Sequence, residues 1–286
     1  MTHPAAGAHY RLIARRRGLA LPRWRELLAY RDLLRAFVDR DLKVNYQQTI
    51  LGPLWLLIRP LVTTAILVLM MSRVTQVGTD GANPALFYFA ATIMWTYYAQ
   101  IVQMVGQVFV AHEYLFSKVY FPRVIMPVSI VVSNLIGLVL QLAFLGLFAL
   151  VLVLLGVVVL PLGRLWIMPL TLVPLVAFSL GSGLMIASMT TRYRDLVNAL
   201  PFALQCGFLL TPIVYPLSKV PEDWRLAYAL LNPLGVVSDL WRAALTGTTI
   251  VSTGGQIVLA TGSAVALLVV SLSLFQASER TAADTI

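Results

Sequence analysis

The sequence predicts an all-α integral membrane protein with six transmembrane helices. An amphipathic helix precedes the first span, and short helices lie at the outer face between the fifth and sixth. Three observations carry this. Of 286 residues, 59% are hydrophobic and 12% charged, about half the charge of a soluble domain. The apolar residues gather in runs near the ~20 residues a helix needs to cross hydrocarbon. The basic residues are segregated, with ten of the 21 before residue 44 and acids interspersed. The net charge of +9 therefore fits an anionic membrane surface and a positive-inside bias rather than nucleic acid.

In chain order, residues 1–23 read as a flexible basic N-terminus. The run Arg15-Arg16-Arg17 needs no role beyond attraction to anionic lipid. No apolar run follows early enough for a signal peptide, so the N-terminus is expected in the cytoplasm. Residues 24–50 hold the amphipathic interface helix. Leu27, Tyr30, Leu34, Phe37 and Val38 share one face, and Arg31, Asp32, Arg35 and Asp39 the other. Such a helix is expected to lie along the inner leaflet.

Residues 51–277 form the transmembrane domain, with spans at about 54–71, 85–110, 127–157, 165–189, 196–215 and 255–275. Gly52-Pro53 turns the chain into span one. Arg59 lies about a turn and a half inside it. Position alone favours snorkelling to the inner headgroups, and the functional alternative is contact with an anionic substrate head. Span two carries Thr92, Thr96, Gln100, Gln103 and Gln107 at spacings that share one helix face. A glutamine face either bonds neighbouring helices or lines a wet path. Span three is longer than a bilayer requires and must tilt or project. In span four, Ser179, Gly183 and Ala187 form a small-residue ridge suited to close helix approach. Pro201, Pro212 and Pro216 break or bend span five. The stretch 216–250 is too polar to cross, and Trp224, Tyr228 and Trp241 point to interfacial or re-entrant helices. Residues 278–286 are a cytoplasmic tail. With both termini inside, the outer segments hold five basic residues (Arg73, Arg164, Lys219, Arg225, Arg242) and the inner ones 16.

Between spans two and three lies a polar, aromatic island, Ala111 to Pro127. Glu113, Lys118 and Arg123 are costly in hydrocarbon. Tyr114, Phe116 and Tyr120 exceed what a solvated turn needs. Two readings fit: a docking surface for another protein, or a helix in the headgroup layer.

Several chemistries are excluded. No G-x-x-x-x-G-K-[ST] loop exists, and Lys43, Lys118 and Lys219 follow no glycine. His3, His9 and His112 are scattered and lack ligand spacing. No acidic residue falls deep in a span, so the carboxylate relay of a proton-driven carrier is missing. The single Cys206 excludes an intramolecular disulfide and reads as a buried, inert thiol. A transporter without its own energy site must borrow one from a partner, which favours docking for the island.

Five short motifs occur in order: RDLKVNYQQTILGPLWLLIRP (Arg40 to Pro60), KVYFPR (Lys118 to Arg123), TRYRDL (Thr191 to Leu196), TPIVYP (Thr211 to Pro216) and LNPLG (Leu231 to Gly235). On these the sequence resembles the ABC-2 type permeases that export polysaccharides such as O-antigen, capsule or teichoic acid precursors. The resemblance runs from about residue 30 to the last span. It implies a permease homodimer in the bacterial inner membrane with two copies of a separate ATPase subunit. No cofactor is then held by this chain, and ATP and Mg sit on the partner. Residues 111–122 would be the coupling helix, with Glu113, Tyr114, Phe116, Lys118, Tyr120 and Arg123 as contacts. Arg192, Arg194 and Asp195 of the TRYRD turn would make a second contact. The segment between spans five and six would form gate helices.

A lipid-linked glycan as cargo needs cations for its pyrophosphate, from Arg59 or the Arg40/Lys43 region. Its sugars need amides and flat rings, for which Gln100, Gln103, Gln107, Trp95, Tyr98, Phe202, Phe208 and Tyr215 are candidates. Two departures stand out. Many members of that family carry Gln where this chain has Arg59, and the glycine after LNP sits a residue early. The alternatives are an ABC-2 permease for a small lipid or drug, or a secondary carrier.

Overall fold

The computed structural model of the chain describes residues 29–46, 52–74, 78–118 and 121–285. Among them every regular element is a helix. We label the α-helices α1 (Arg31–Tyr46), α2 (Trp55–Leu67), α3 (Pro84–Gly106), α4 (Val108–Ala111), α5 (Glu113–Lys118), α6 (Ile125–Leu154), α7 (Ile167–Thr190), α8 (Leu196–Leu210), α9 (Glu222–Leu231), α10 (Pro233–Thr246) and α11 (Gly254–Thr285). The expected flexible N-terminus lies outside the described residues.

Four helical segments among the described residues are long and apolar enough to cross a membrane: Pro84–Gly106, Ile125–Leu154, Leu162–Thr190 and Gly254–Ser278. The other two expected spans are shorter apolar helices, Trp55–Met71 and Leu196–Leu210. Local chemistry accounts for both. Beyond Leu67 the hydrogen bonding of α2 loosens into a π-helical turn, Val68–Val74. The helix α8 stops at Leu210 because Thr211 precedes Pro212. A residue before proline is pushed out of the α region, and Thr211 is extended with ψ 143°. Span five was expected to reach Tyr215. Instead it ends five residues early, and Pro212 and Pro216 lie in irregular chain beyond it.

The central helix is α3, buried along most of its length. Asn83 caps its start, its Oδ1 accepting from the backbone of Ala85 at 3.0 Å and Leu86 at 3.4 Å. It packs on α7 through the small-residue ridge: Ser179 and Ala187 are fully buried. A Cβ on Gly183 would lie 2.8 Å from Val105 Cβ, so only glycine permits this approach. On its other side α7 meets α11 equally closely, because a Cβ on Gly181 would lie 2.9 Å from the Leu268 backbone nitrogen. The outward sides of α6 and α11 carry exposed Leu147, Leu150, Val258 and Val270, as suits helices facing hydrocarbon.

The amphipathic reading of α1 holds for its described residues. Phe37 and Val38 are buried, while Arg31, Asp32, Arg35 and Asp39 are exposed. Its apolar face is turned to the bundle. It packs on α6, and the Phe37 ring sits 5.7 Å from that of Phe121. Burying these rings against protein uses the same apolar face that a bilayer would have taken.

Of the two readings for α10, interfacial or re-entrant, burial against the bundle opposes the first. Pro233 through Leu245 are buried without exception. Trp241 is fully enclosed and donates its indole N–H to Thr171 Oγ1 at 2.6 Å. The helix enters the bundle between α3, α7 and α11. Asn232 and Pro233 start it and Gly247, at φ +73°, ends it. Cys206, expected buried, is only partly so.

Candidate functional site

The described structure brings the two candidate docking segments together at one end of the bundle. Arg194 Nη2 lies 3.6 Å from Glu113 Oε1, joining α5 to the turn between α7 and α8. Tyr114, Arg192, Tyr193 and Asp195 are exposed around this pair. Phe116 behaves differently. It is turned inward among Phe109, His112 and Phe121, at centroid distances of 5.9, 6.4 and 5.7 Å. The Arg123 guanidinium stacks over it at 5.3 Å. These two residues hold the island on the bundle rather than present it. Tyr120 and the side chain of Lys118 lie outside the described residues.

The candidate path residues separate into two groups on opposite sides of α3. On one side the glutamine stripe faces two cavities. The first, about 410 Å³, is lined by Gln103, Gln107 and Met104 with Arg40, Asp41 and His112. The second, about 190 Å³, is lined by Thr96, Gln100 and Met104 with Arg59, Asn134 and Gln141. Met104 belongs to both, and Asn134 Nδ2 reaches its sulfur at 3.6 Å. The stripe is therefore a row of amides with open space beside it, interrupted by one methionine. Gln107 stands at the break between α3 and α4, with φ −103° and ψ 4°, and not within a continuous helix as its spacing suggested.

On the opposite side the aromatic candidates pack on α7 and α8. Trp95 contacts Tyr98 at 5.1 Å and Phe208 at 5.8 Å, and Tyr98 stacks on Phe178 at 5.4 Å. Trp95 is almost wholly buried against Gly207, where a Cβ would lie 3.0 Å from the indole. These rings are core. Phe202 stands apart, 70% exposed on α8. Tyr215 lies beyond α8 and donates to Leu210 O at 2.8 Å.

Electrostatics near the first cavity are set by α1. Arg40 donates through Nε and Nη2 to Asp41 Oδ1 at 3.1 and 2.8 Å. His112 sits between α4 and α5 with Nδ1 buried and without a hydrogen-bond partner among the described residues. Burial, and secondarily the Arg40 charge, hold its imidazole below the ordinary histidine range; its backbone bond to Val108 and the Asp41 charge oppose this more weakly.

Sequence reasoning missed four residues. Gln141 and Asn134 complete the second cavity, and two amides in so apolar a span as α6 were a usable signal. Arg242 was assigned to the outer surface, yet it is 3% exposed. It donates to the carbonyls of Phe87, Tyr215 and Ile213 at 3.3, 3.2 and 2.7 Å. Asp239, a turn before it, accepts from the backbone of Val251 and Ser252 and from Ser252 Oγ at 3.1, 2.8 and 2.7 Å. Among the described residues no group of three His, Cys, Asp or Glu could hold a metal ion.

A multi-pass helical bundle with open cavities bordered by amides and a charged, exposed turn at one end has the form of a membrane transport subunit. The chain belongs to the ABC-2 type transporter family, whose profile matches residues 32–246. It is 29% identical over 213 residues to the O-antigen export system permease protein RfbA of Myxococcus xanthus, covering 73% of this chain and 78% of that protein. It is 28% identical over 248 residues to the protein of the same name from Klebsiella pneumoniae, covering 85% and 91%. Family membership implies pairing with an ABC ATPase subunit and makes the chain a transporter membrane subunit rather than an enzyme.

Proposed function

We propose that this chain is the transmembrane subunit of an ATP-driven exporter that moves lipid-linked polysaccharide of the O-antigen type across the bacterial inner membrane. It works as a homodimer with two ATPase copies, crosses the bilayer six times and keeps both termini in the cytoplasm. ATP and Mg reside on the partner subunit. Glu113, Tyr114, Arg192, Arg194 and Asp195 receive its motion, with Lys118 and Tyr120 in the same segment and Phe116 and Arg123 anchoring it. The helices α9 and α10 close the outer exit.

The observation that carries the cargo class is the amide face of α3. Gln100, Gln103 and Gln107 border open cavities flanked by the cations Arg59 and Arg40. A permease for a small apolar drug calls for an apolar cleft. Amides offer both donors and acceptors to sugar hydroxyls, and the arginines suit a pyrophosphate. The names of the relatives agree with this reading. The packed rings of Trp95, Tyr98 and Phe208 support the wall of the path from behind.

The test is transport of lipid-linked glycan into inverted vesicles holding the permease and its ATPase. Changing Gln100, Gln103 and Gln107 together to Leu is expected to abolish glycan entry while ATPase association persists. Full transport by the triple variant would exclude the amide face as the route. Transport by the permease without any ATPase would overturn the coupling scheme.

A further inference from the structure

The smaller cavity on α3 holds more chemistry than a glycan route requires. It lies between α2, α3 and α6, and among the described residues no acidic side chain lines it. Arg59 thus faces it with no counter-charge in the wall. Gln141 is 3% exposed and its Nε2 donates to Leu56 O at 3.1 Å. That carbonyl is open because Pro60, four residues on, has no N–H to give it. The carbonyl can only accept, so the amide orientation is fixed and the Gln141 oxygen must face away. This Oε1 is buried and has no partner among the described residues. The cavity wall therefore sets a cation beside a residue that holds an unused acceptor. The complementary group is an anion that also carries a donor.

A second, apolar cleft of about 430 Å³ lies on the same three helices, lined by Leu61, Val68, Leu69, Ala85 and Phe148. Counted along α3 and α6 at ~1.5 Å per residue, it is roughly 10–16 Å from the polar cavity. Between and beside the two, Val62, Ile66 and Leu69 of α2 and its π-turn are exposed. The polar end of this arrangement lies nearer the α1 side of the bundle.

We propose that the two cavities together bind one anionic glycerophospholipid of the bilayer. Its phosphate lies on Arg59, a headgroup hydroxyl donates to Gln141 Oε1, and an acyl chain lies in the cleft above. A phosphate ester on an apolar chain is also the chemistry of a lipid-linked glycan. The bilayer lipid is favoured because the exposed face of α2 makes both cavities accessible from hydrocarbon. The site shares Arg59 and Gln100 with the proposed glycan route, so phospholipid and lipid-linked cargo exclude each other there.

The test uses the full-length permease, expressed in cells that make no exported glycan and purified in mild detergent. Lipid retained by the protein is extracted and identified. Native mass spectrometry then follows rebinding of dioleoyl phosphatidylglycerol or dioleoyl phosphatidylcholine. Phosphatidylglycerol is expected to bind about tenfold more tightly, as one charge-assisted contact implies. Arg59→Gln is expected to erase that preference and Arg59→Lys to keep most of it. Equal binding of the two lipids, or an undiminished preference in Arg59→Gln, overturns the proposal. So does displacement of the lipid by inorganic phosphate alone, which would leave the apolar cleft without a part. The extraction from cells without exported glycan separates the two sources: an isoprenoid phosphate in place of the glycerophospholipid overturns the bilayer assignment. None of these readouts measures export, so failure of the export reading is seen separately in the vesicle assay.

Discussion

The Arg242 guanidinium lies 3.6 Å from the centroid of the Phe87 ring and donates to the Phe87 carbonyl at 3.3 Å. One residue of α10 thus grips α3 through both its ring and its backbone. Its other donors hold the carbonyls of Ile213 and Tyr215, which no helix bond satisfies after α8 has ended. Ser238 and Tyr228 serve the neighbouring carbonyls of Pro212 and Leu210. The irregular chain between the prolines is therefore fixed by side chains of α9 and α10. Arg242→Leu leaves three buried acceptors open and is expected to cost about 3–5 kcal/mol. Arg242→Lys keeps the charge but not the planar fork and is expected to fall between. Thermal unfolding in detergent checks the order.

Gln141 and Pro60 form a compensating pair. Gln141→Leu leaves the Leu56 carbonyl unsatisfied and is expected to cost about 1–3 kcal/mol. Pro60→Ala supplies the missing backbone N–H. In that background the same Gln141→Leu change is expected to be clearly milder. A double-mutant cycle by chemical denaturation measures the difference, and a coupling energy near zero would refute the pairing.

Two glycines should respond in opposite directions. Gly183→Ala places a methyl 2.8 Å from Val105 Cβ and is expected to cost about 1–3 kcal/mol through overpacking between α3 and α7. Gly146→Ala meets nothing within 4 Å on α6, and there the gain in helix propensity is up to about 1 kcal/mol. Melting temperatures of the two variants decide this.

The Glu113–Arg194 pair is solvent-facing, with side chains 44% and 73% exposed. Such pairs contribute about 0–1 kcal/mol, so Arg194→Glu is expected to leave the melting temperature nearly unchanged. If the pair shapes the docking surface, the same variant loses transport-coupled ATPase activity. Normal coupling would remove this pair from the interface.

His112 gives a pH dependence with a definite sign. Its folded pKa lies below the ordinary value of about 6.5, chiefly through burial and then Arg40. Below that value the unfolded chain binds the proton more readily than the native one, so stability falls as pH drops through about 6.5 and levels off only below the folded pKa. Above about pH 7 this contribution is flat. His112→Phe is expected to remove the acid-side slope, read as melting temperature against pH.

Much of this was legible in the sequence because period and charge are local properties. The apolar runs located the helices of the bundle, and the spacing of Tyr30, Leu34, Phe37 and Val38 gave the inward face of α1. The Ser179-Gly183-Ala187 ridge announced a close helix contact on α7, and the structure gives α3 as the partner. Legibility stopped where a partner distant in sequence chose the outcome. Phe116 reads as a docking ring until Phe109, Phe121 and Arg123 enclose it. Trp95 reads as a sugar platform until Gly207 receives it.

The amino-acid order alone fixed the membrane class, the absence of a nucleotide loop and the amide row at Gln100, Gln103 and Gln107, since each follows from composition or helical periodicity. Tertiary structure decided the rest: that α10 is buried, that Arg242 is a bracket rather than a surface charge, and that Gln141 answers the proline in α2. A polar residue with no nearby complement in sequence can belong to water, lipid or another helix. Only packing supplies the missing acceptor, and with it the reason the residue lies where it does.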